Sequence, residues 1–154
     1  MKKSIKSLLA FGAISAILVV SSCTKTCDTG YEGSDCKTEV RAKFLSNNIS
    51  ASETKNGGTA YSYSTSIISS SSDLLTVYLT KVANGFFNSN VKATVNGTAL
   101  TIESQEPDAD GYTIQGNGSI TDKTITLTYT ITGLNAAVPP VTVTDTYQAT
   151  WTIQ

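Results

Sequence analysis

The sequence predicts an all-β domain of about eight short antiparallel strands. From residue 38 onward, Ser and Thr are frequent and apolar residues alternate with polar ones, which is the period-2 pattern of half-buried strands. Groups of turn-forming residues interrupt this pattern at short intervals: NGG at 56–58, SSSSD at 69–73, NGFFNSN at 84–90, PDADG at 107–111 and AAVPP at 136–140. No helical segment of note is predicted.

The strands are predicted between these breaks, in chain order. Their approximate bounds are 39–46, 60–68, 74–82, 90–95, 98–105, 111–116, 123–131 and 145–153. The seventh strand, KTITLTYTI, has the clearest alternation, with threonines on one face and a core face of Ile125, Leu127, Tyr129 and Ile131. The last strand, DTYQATWTI, repeats the pattern with a core face of Tyr147, Ala149, Trp151 and Ile153. Between the fourth and fifth strands, Asn96-Gly97 suits a type I′ hairpin turn.

Strands of this kind must hide their edges, either in a closed up-and-down barrel or in a two-sheet sandwich. Most of the predicted connections are short, which favours a meander. A meander of about eight strands closes into a barrel wide enough for side chains or one small ligand. We therefore expect a barrel with a filled core or a small cavity, and the β-sandwich remains the alternative.

The first 22 residues have the composition of a secretory signal. Lys2, Lys3 and Lys6 precede an uncharged apolar run, Leu8–Val20, which is too short to span a bilayer. We expect residues 1–22 to be removed and the mature chain to fold outside the cytoplasm.

The four residues Val20-Ser21-Ser22-Cys23 follow this run and resemble the lipobox of bacterial lipoproteins. In that family the Cys receives a diacylglyceryl group and becomes the acylated N-terminus, so the resemblance implies lipidation of Cys23 and attachment to a membrane. The alternative is an ordinary secretory signal that leaves Cys23 as a thiol, although exposed free thiols are poorly tolerated in oxidising compartments. The expected location is the bacterial cell envelope, as an outer-membrane lipoprotein on the periplasmic face or the cell surface.

The segment CDTGYEGSDC, from Cys27 to Cys36, resembles the C-terminal loop of epidermal-growth-factor (EGF-like) modules, C-x-x-G-[YF]-x-G-x-x-C. With Cys23 assigned to the lipid, the resemblance implies a Cys27–Cys36 disulfide within a short stalk, residues 23–37. A full module has six cysteines and this chain has three, so calcium binding and receptor binding are not implied. We expect a spacer that is independent of the β domain, residues 38–154, and a recognition role is the alternative.

The segment GYTIQGNGSITDKTITLTYTI, residues 111–131, precedes a last strand rich in aromatic residues. This pattern looks like the later strands of the lipocalin-like, or calycin-like, lipoprotein domains of Bacteroidetes. The resemblance extends from about Lys43 to the end of the chain and implies a closed barrel. The G-x-W signature of true lipocalins is absent from RAKFLSNN, residues 41–48, so binding of retinoid-type or other hydrophobic ligands is not implied.

Charge and composition argue against several functions. The 11 basic residues balance 12 acidic ones, so we expect no nucleic-acid partner. Because the chain has no His, no dense carboxylate cluster and no thiol left after lipidation and pairing, we expect no catalytic residue, no metal site and no cofactor. Asp108-Ala109-Asp110-Gly111 begins like some calcium loops but lacks their remaining ligands, so it is predicted to be a turn. Asn96-Gly97-Thr98 and Asn117-Gly118-Ser119 match the N-glycosylation pattern and are also predicted to be turns.

The aromatic residues either fill the core or line a ligand cavity; they are Tyr61, Tyr63, Tyr78, Tyr129, Tyr147 and Trp151. Phe86 and Phe87 lie in a loop rich in Gly and Asn, where one ring is expected to be exposed as a contact site. The predicted function is that of a non-catalytic lipoprotein that binds or scaffolds an unknown protein, glycan or small molecule, and an envelope hydrolase is a further alternative. A ligand site at the barrel mouth would draw on Tyr63, Tyr78, Tyr129 or Trp151.

Overall fold

The computed structural model describes residues 26–154, so the predicted signal peptide and Cys23 lie outside the described residues. Two short strands come first and pair with each other, β1 (Tyr31–Glu32) and β2 (Thr38–Glu39). Eight antiparallel strands then form a closed barrel: β3 (Ser46–Lys55), β4 (Tyr61–Ser69), β5 (Thr76–Leu79), β6 (Val91–Asn96), β7 (Ala99–Gln105), β8 (Thr113–Thr121), β9 (Thr124–Leu134) and β10 (Thr142–Ile153). Each strand pairs with its neighbour in the chain, and β10 closes the barrel on β3. The predicted up-and-down barrel is confirmed.

The first barrel strand differs from the prediction for residues 39–46. A 3₁₀ helix occupies Val40–Lys43, and the strand β3 begins only at Ser46. Val40, at the start of this helix, and Phe44, just after its end, are both buried. This segment plugs one end of the barrel, because Arg41 donates 2.7 Å hydrogen bonds to the carbonyl oxygens of Ser70 and Asp73 in the loop after β4.

The sixth strand is longer than the predicted 111–116, and the turn predicted at Asn117-Gly118-Ser119 is wrong. These residues lie inside β8, which continues to Thr121. The glycine is needed there for close packing, because a Cβ on Gly118 would overlap the Thr126 carbonyl oxygen and the Leu127 side chain of β9. The chain turns at Asp122 and Lys123 instead, where Asp122 has a φ of +54°.

The β6–β7 hairpin forms where it was predicted, but its turn is shifted by one residue. Asn96 pairs with Ala99, so the two central residues are Gly97 and Thr98. Gly97 has a φ of +57°, whereas Thr98 is not in the positive-φ region. A type I′ turn needs positive φ at both central residues, so the predicted type I′ turn is not formed.

The barrel interior is filled by side chains that alternate along the strands, as predicted for β9 and β10. On β9 the buried residues are Ile125, Leu127, Tyr129 and Ile131, and on β10 they are Tyr147, Ala149 and Trp151. Trp151, Tyr129 and Phe44 are the largest of the fully buried side chains. Within residues 26–154, no helix has the length and apolar composition needed to cross a bilayer.

The barrel has two different ends, because an up-and-down meander places alternate connections at opposite ends. The closed end carries the loops 70–75, 97–98 and 122–123, together with the plug formed by residues 40–45. The other end, which we call the mouth, carries the loops 56–60, 80–90, 106–112 and 135–141.

The disulfide loop is attached to the closed end of the barrel. Cys27 and Cys36 form a disulfide with a Cα–Cα distance of 5.2 Å. The amide of Val40 donates a 2.9 Å hydrogen bond to the carbonyl oxygen of Gly30, and the Gly30 backbone packs against Leu74. The sequence predicts a spacer independent of the barrel and does not anticipate these contacts. The N-terminal segment therefore enters at the end opposite the mouth.

Candidate functional site

The mouth contains a cleft of about 230 Å³, which we call the mouth cleft. It is lined by Lys55, Phe86, Tyr112, Ile131, Gly133, Leu134, Asn135, Val143 and Asp145. Apolar side chains and two aromatic rings form most of this lining, and one ion pair lies at its edge. A larger groove of about 500 Å³ lies on the outer face of β7 to β9, but it is shallow and its walls carry mainly Thr, Asn and Gln side chains. The mouth cleft therefore has the more specific chemistry of the two.

Phe86 is the exposed aromatic residue of the mouth. Its side chain is 42% exposed, whereas that of Phe87 is buried, so the prediction that one of these two rings is exposed is confirmed. The Phe86 ring makes edge-to-face contacts with Phe87 at 5.0 Å and with Tyr112 at 5.2 Å between ring centroids. The Tyr112 ring in turn lies directly over Gly133, where a Cβ atom would overlap it.

The loop that carries Phe86 is held by Asp108 from the neighbouring loop. The Asp108 carboxylate accepts 2.7 Å hydrogen bonds from the backbone amides of Asn88 and Ser89. These amides stabilise the charged form and lower the pKa of Asp108 below its ordinary value. The predicted turn at Asp108–Gly111 is confirmed, since residues 106–112 form the loop between β7 and β8. The Asp108 carboxylate joins this loop to the loop 80–90.

Exposed apolar side chains surround the mouth cleft. Of the six large hydrophobic residues that are exposed in the described part of the chain, five belong to this end: Phe86, Leu134, Val138, Val141 and Val143. Val138, at the tip of the loop 135–141, is 98% exposed. We call these five residues the apolar rim. Clustered exposed apolar residues are typical of interaction surfaces, whereas single ones are ordinary.

A buried carboxylate, Glu53, lies just inside the mouth and is 1% exposed. It accepts hydrogen bonds from the hydroxyls of Tyr61, at 2.6 Å, and Tyr63, at 2.8 Å, one on each carboxylate oxygen. The antiparallel register places Tyr61 opposite Glu53 and Tyr63 opposite Ala51, so all these side chains point into the barrel. Glu53 is not among the site residues predicted from the sequence. The signal was available, because Ile49, Ala51 and Glu53 alternate along β3 and therefore share its inner face.

The tyrosine hydroxyls around Glu53 are held in their protonated form. Burial, followed by the charge of Glu53, raises the pKa of Tyr63 and of Tyr129 well above the ordinary tyrosine value. Burial and the hydrogen bond to Glu53 raise the pKa of Tyr61 in the same way. Within residues 26–154, Tyr129 Oη and Trp151 Nε1 are buried and have no hydrogen-bond partner. Behind the mouth, two phenols thus donate to the one buried carboxylate of these residues, Glu53.

The ion pair that lines the mouth cleft lies next to a stacked pair of buried tyrosines. Lys55 Nζ lies 2.7 Å from Asp145 Oδ2 and 5.9 Å from the ring centroid of Tyr147. The rings of Tyr147 and Tyr129 are nearly parallel, with centroids 4.9 Å apart. The hydrogen bond between Lys55 and Asp145 raises the pKa of Lys55 and lowers that of Asp145. Asn56 supports the pair by donating a 2.8 Å hydrogen bond to Asp145 Oδ1.

Not every residue predicted for a mouth site lies there. Tyr78 does not lie at the mouth: Val77 and Leu79 face the core, and the intervening Tyr78 faces outward. It pairs with Ile68 and Lys92. Trp151 is completely buried opposite Ala51 on β3, deeper than Glu53, and does not line the mouth cleft. The structure brings together Tyr61, Tyr63, Tyr129 and Tyr147 near Glu53, and it places Phe86 on the rim and the buried Phe87 beneath it.

In the part of the chain from residue 26 onward, no three His, Cys, Asp or Glu side chains converge as metal ligands do. The arrangement of rings, apolar rim and ion pair is suited to binding. Comparison of the chain with family models, with curated proteins and with solved structures finds no match.

Proposed function

We propose that the protein is a non-catalytic lipoprotein of the bacterial cell envelope that binds a partner at the mouth of its barrel. The membrane attachment rests on the apolar run Leu8–Val20 and on the lipobox-like segment that ends at Cys23. A diacylglyceryl group together with an N-terminal acyl chain provides the several chains that stable anchoring requires.

The observation that carries the binding proposal is the position of the apolar rim. The N-terminal segment and its disulfide loop join the closed end of the barrel, through Gly30, Val40 and Leu74. The apolar rim lies at the other end, around the mouth cleft. A chain that is anchored at its N-terminus thus holds its exposed apolar residues away from the attachment point, where a partner can reach them.

The size of the mouth cleft favours a small group over a large ligand. At about 230 Å³ it lies below the range of roughly 300–1,000 Å³ that drug-sized ligands occupy. It has room for one side chain of a partner or for a compact small molecule. A small-ligand-binding function is the second candidate, and the ion pair at the edge of the cleft favours it because it adds a polar contact to an apolar site.

The membrane attachment is tested by replacing Cys23 with Ser and fractionating the cells. We expect the wild-type protein in the membrane fraction and the Cys23→Ser variant outside it. Normal processing and membrane retention of that variant would show that the attachment proposal is wrong.

The binding site is tested by placing a photo-crosslinking residue at Val138 in cells that produce the protein. We expect a defined adduct that disappears in a Leu134→Asp background and persists in an Ile68→Asp background. Ile68 is the matched control, since it is an exposed apolar residue on the outer face of β4, away from the rim. Equal adducts in both backgrounds would contradict binding at the mouth, and hydrolytic turnover that is lost with a carboxylate variant would contradict the non-catalytic function.

A further inference from the structure

Glu53 is the buried carboxylate of the mouth, and no cation of the described residues pairs with it. Among residues 26–154, ion pairs join Arg41 to Glu39, Lys43 to Glu32 and Lys55 to Asp145, and none includes Glu53. Glu53 is 1% exposed and is stabilised by two neutral phenols. A buried carboxylate without a cationic partner is uncommon, because desolvation disfavours its charge. The interior behind the mouth is therefore suited to a positive group.

Aromatic rings stand on both sides of this carboxylate. The strand order β9-β10-β3-β4 places Glu53 on β3, with Tyr61 and Tyr63 on one side and Tyr147 and Tyr129 on the other. The rings on each side are stacked, at 6.1 Å for the first pair and 4.9 Å for the second. The face of an aromatic ring is electron-rich and attracts organic cations, more strongly where water is excluded.

One cation of the chain already occupies a position of this kind. The ammonium group of Lys55 lies 5.9 Å from the ring centroid of Tyr147 while it pairs with Asp145. Its side chain is 47% exposed, and a pair of such exposure contributes little to stability because water and salt screen it. The ammonium is therefore displaceable, and it marks where a second cation would bind.

The other residues of the mouth cleft suit a ligand whose ammonium group carries small apolar groups. Beside the ion pair, the mouth cleft is walled by Phe86, Ile131 and Val143, which suit methyl and methylene groups. Behind it, the ring of Tyr129 is 1% exposed and stacks on the ring of Tyr147.

We infer that the mouth binds an organic ammonium group, which takes the place of the Lys55 ammonium beside Tyr147 and Asp145. This inference rests on the proposed function and specifies the chemistry of what is bound. The same group occurs on free small molecules, such as quaternary amines, and on the lysine side chain of a protein partner.

The test is a titration of the purified protein with choline and with its neutral isostere 3,3-dimethyl-1-butanol, followed by the NMR signals of the tyrosine rings. We expect saturable binding of choline and at least about tenfold weaker binding of the isostere, the factor that a desolvated cation–ring contact supplies. A lysine with blocked backbone termini, compared with its Nε-acetyl form, tests the protein-borne source of the same group. Equal binding of charged and neutral probes, or no saturable binding of either ammonium probe, overturns the inference.

Three variants locate the site. Tyr147→Leu and Asp145→Asn should weaken choline binding several-fold, and Lys55→Met should strengthen it by removing the resident cation. Tyr78→Leu is the matched control and should bind as the wild type does, because Tyr78 faces away from the barrel interior. Circular dichroism confirms that each variant folds, and a Lys55→Met variant that folds but loses choline binding contradicts the displacement.

The outcomes of the choline titration and of the crosslinking experiment are independent of each other. Loss of the ammonium binding with retention of the rim-dependent adduct leaves the partner site in place and removes its assigned chemistry. Choline binding without any rim-dependent adduct identifies a small-molecule site and contradicts a protein partner at the mouth.

Discussion

Tyr63 donates a 2.8 Å hydrogen bond to Oε2 of Glu53 inside the barrel. Because Glu53 is 1% exposed, water cannot replace this donor if it is lost. The hydrogen bond therefore satisfies a buried carboxylate that has no cationic partner among residues 26–154.

We expect the Tyr63→Phe variant to lower the free energy of unfolding by about 1.5–3 kcal/mol, the range for hydrogen bonds to charged groups. Urea denaturation at neutral pH measures the change. Tyr78→Phe is the control, since Tyr78 lies on the outer face of β5, and its effect should stay within about 0.5 kcal/mol. Equal stability of the two variants would show that the Tyr63 hydroxyl does not stabilise Glu53.

The barrel was predictable because most strands carry a plain alternation between clear breaks. The alternation Ile125, Leu127, Tyr129 on β9 is an example, and the structure buries all three. The predicted bounds of β3 are wrong because the apolar residues Val40 and Phe44 are typical of a strand. In the structure they pack as part of the helical plug. The plug residues bury their side chains at the end of the barrel, and no local sequence pattern predicts this packing.

The candidate site was harder to predict for the same reason. The predicted first strand, 39–46, leaves Glu53 in the following connection. The prediction therefore does not place Glu53 with Ile49 and Ala51 on the inner face of β3. Tyr78 was assigned to the mouth by residue type, although its neighbours Val77 and Leu79 take the inner face. The first error is one of strand bounds, and the second is one of strand face, since neighbouring residues of a strand point to opposite faces.

The contact between Gly30 and Leu74 predicts that the disulfide loop and the barrel stabilise each other. A Cβ on Gly30 would lie 2.7 Å from Leu74 Cβ, closer than two such atoms can approach. Gly30→Ala should therefore destabilise the protein more than Gly57→Ala, which is the matched control. Both glycines have positive φ, +91° and +68°, but a Cβ at Gly57 would meet nothing within 4 Å.

Thermal unfolding followed by circular dichroism measures the comparison. The control isolates the cost of left-handed backbone in a residue with a side chain, about 1–2 kcal/mol. Any larger loss in Gly30→Ala reports the steric contact with the barrel. If the two variants have the same melting temperature, the disulfide loop behaves as the independent spacer that the sequence predicts.

The glycines of β8 predict a second steric effect, this time inside the barrel wall. A Cβ on Gly116 would lie 2.5 Å from the Thr128 carbonyl oxygen and 2.7 Å from Tyr129 Cα, and these backbone atoms cannot move without disturbing β9. Gly116→Ala should lower the free energy of unfolding by about 1–3 kcal/mol, as overpacking does. Asn117→Ala is the control, because Asn117 is exposed on the outer face of the same strand. Similar unfolding midpoints in urea would indicate that the strands adjust without cost.

The ion pair between Lys55 and Asp145 predicts a pH range for stability at the mouth. The folded-state pKa of Asp145 is lowered by its hydrogen bond with Lys55, so the stability it contributes is present above the ordinary Asp value of about 3.9 and is lost as the pH falls through the folded-state value. The folded-state pKa of Lys55 is raised by the same hydrogen bond, so its contribution is complete below the ordinary Lys value of about 10.4 and is lost as the pH rises through the folded-state value.

The wild-type protein should therefore gain stability over Lys55→Met between these two limits and lose that difference outside them. The difference should be at most about 1 kcal/mol, because the Lys55 side chain is 47% exposed and solvent screens the pair. Urea denaturation of both proteins across the pH range measures it, and a parallel series at about 1 M salt should reduce it, since the Debye length is then only about 3 Å. A difference that is independent of both pH and salt would mean that Lys55 acts through the packing of its methylenes on Tyr147. In that case its ammonium would not be the displaceable cation that we assign to the mouth.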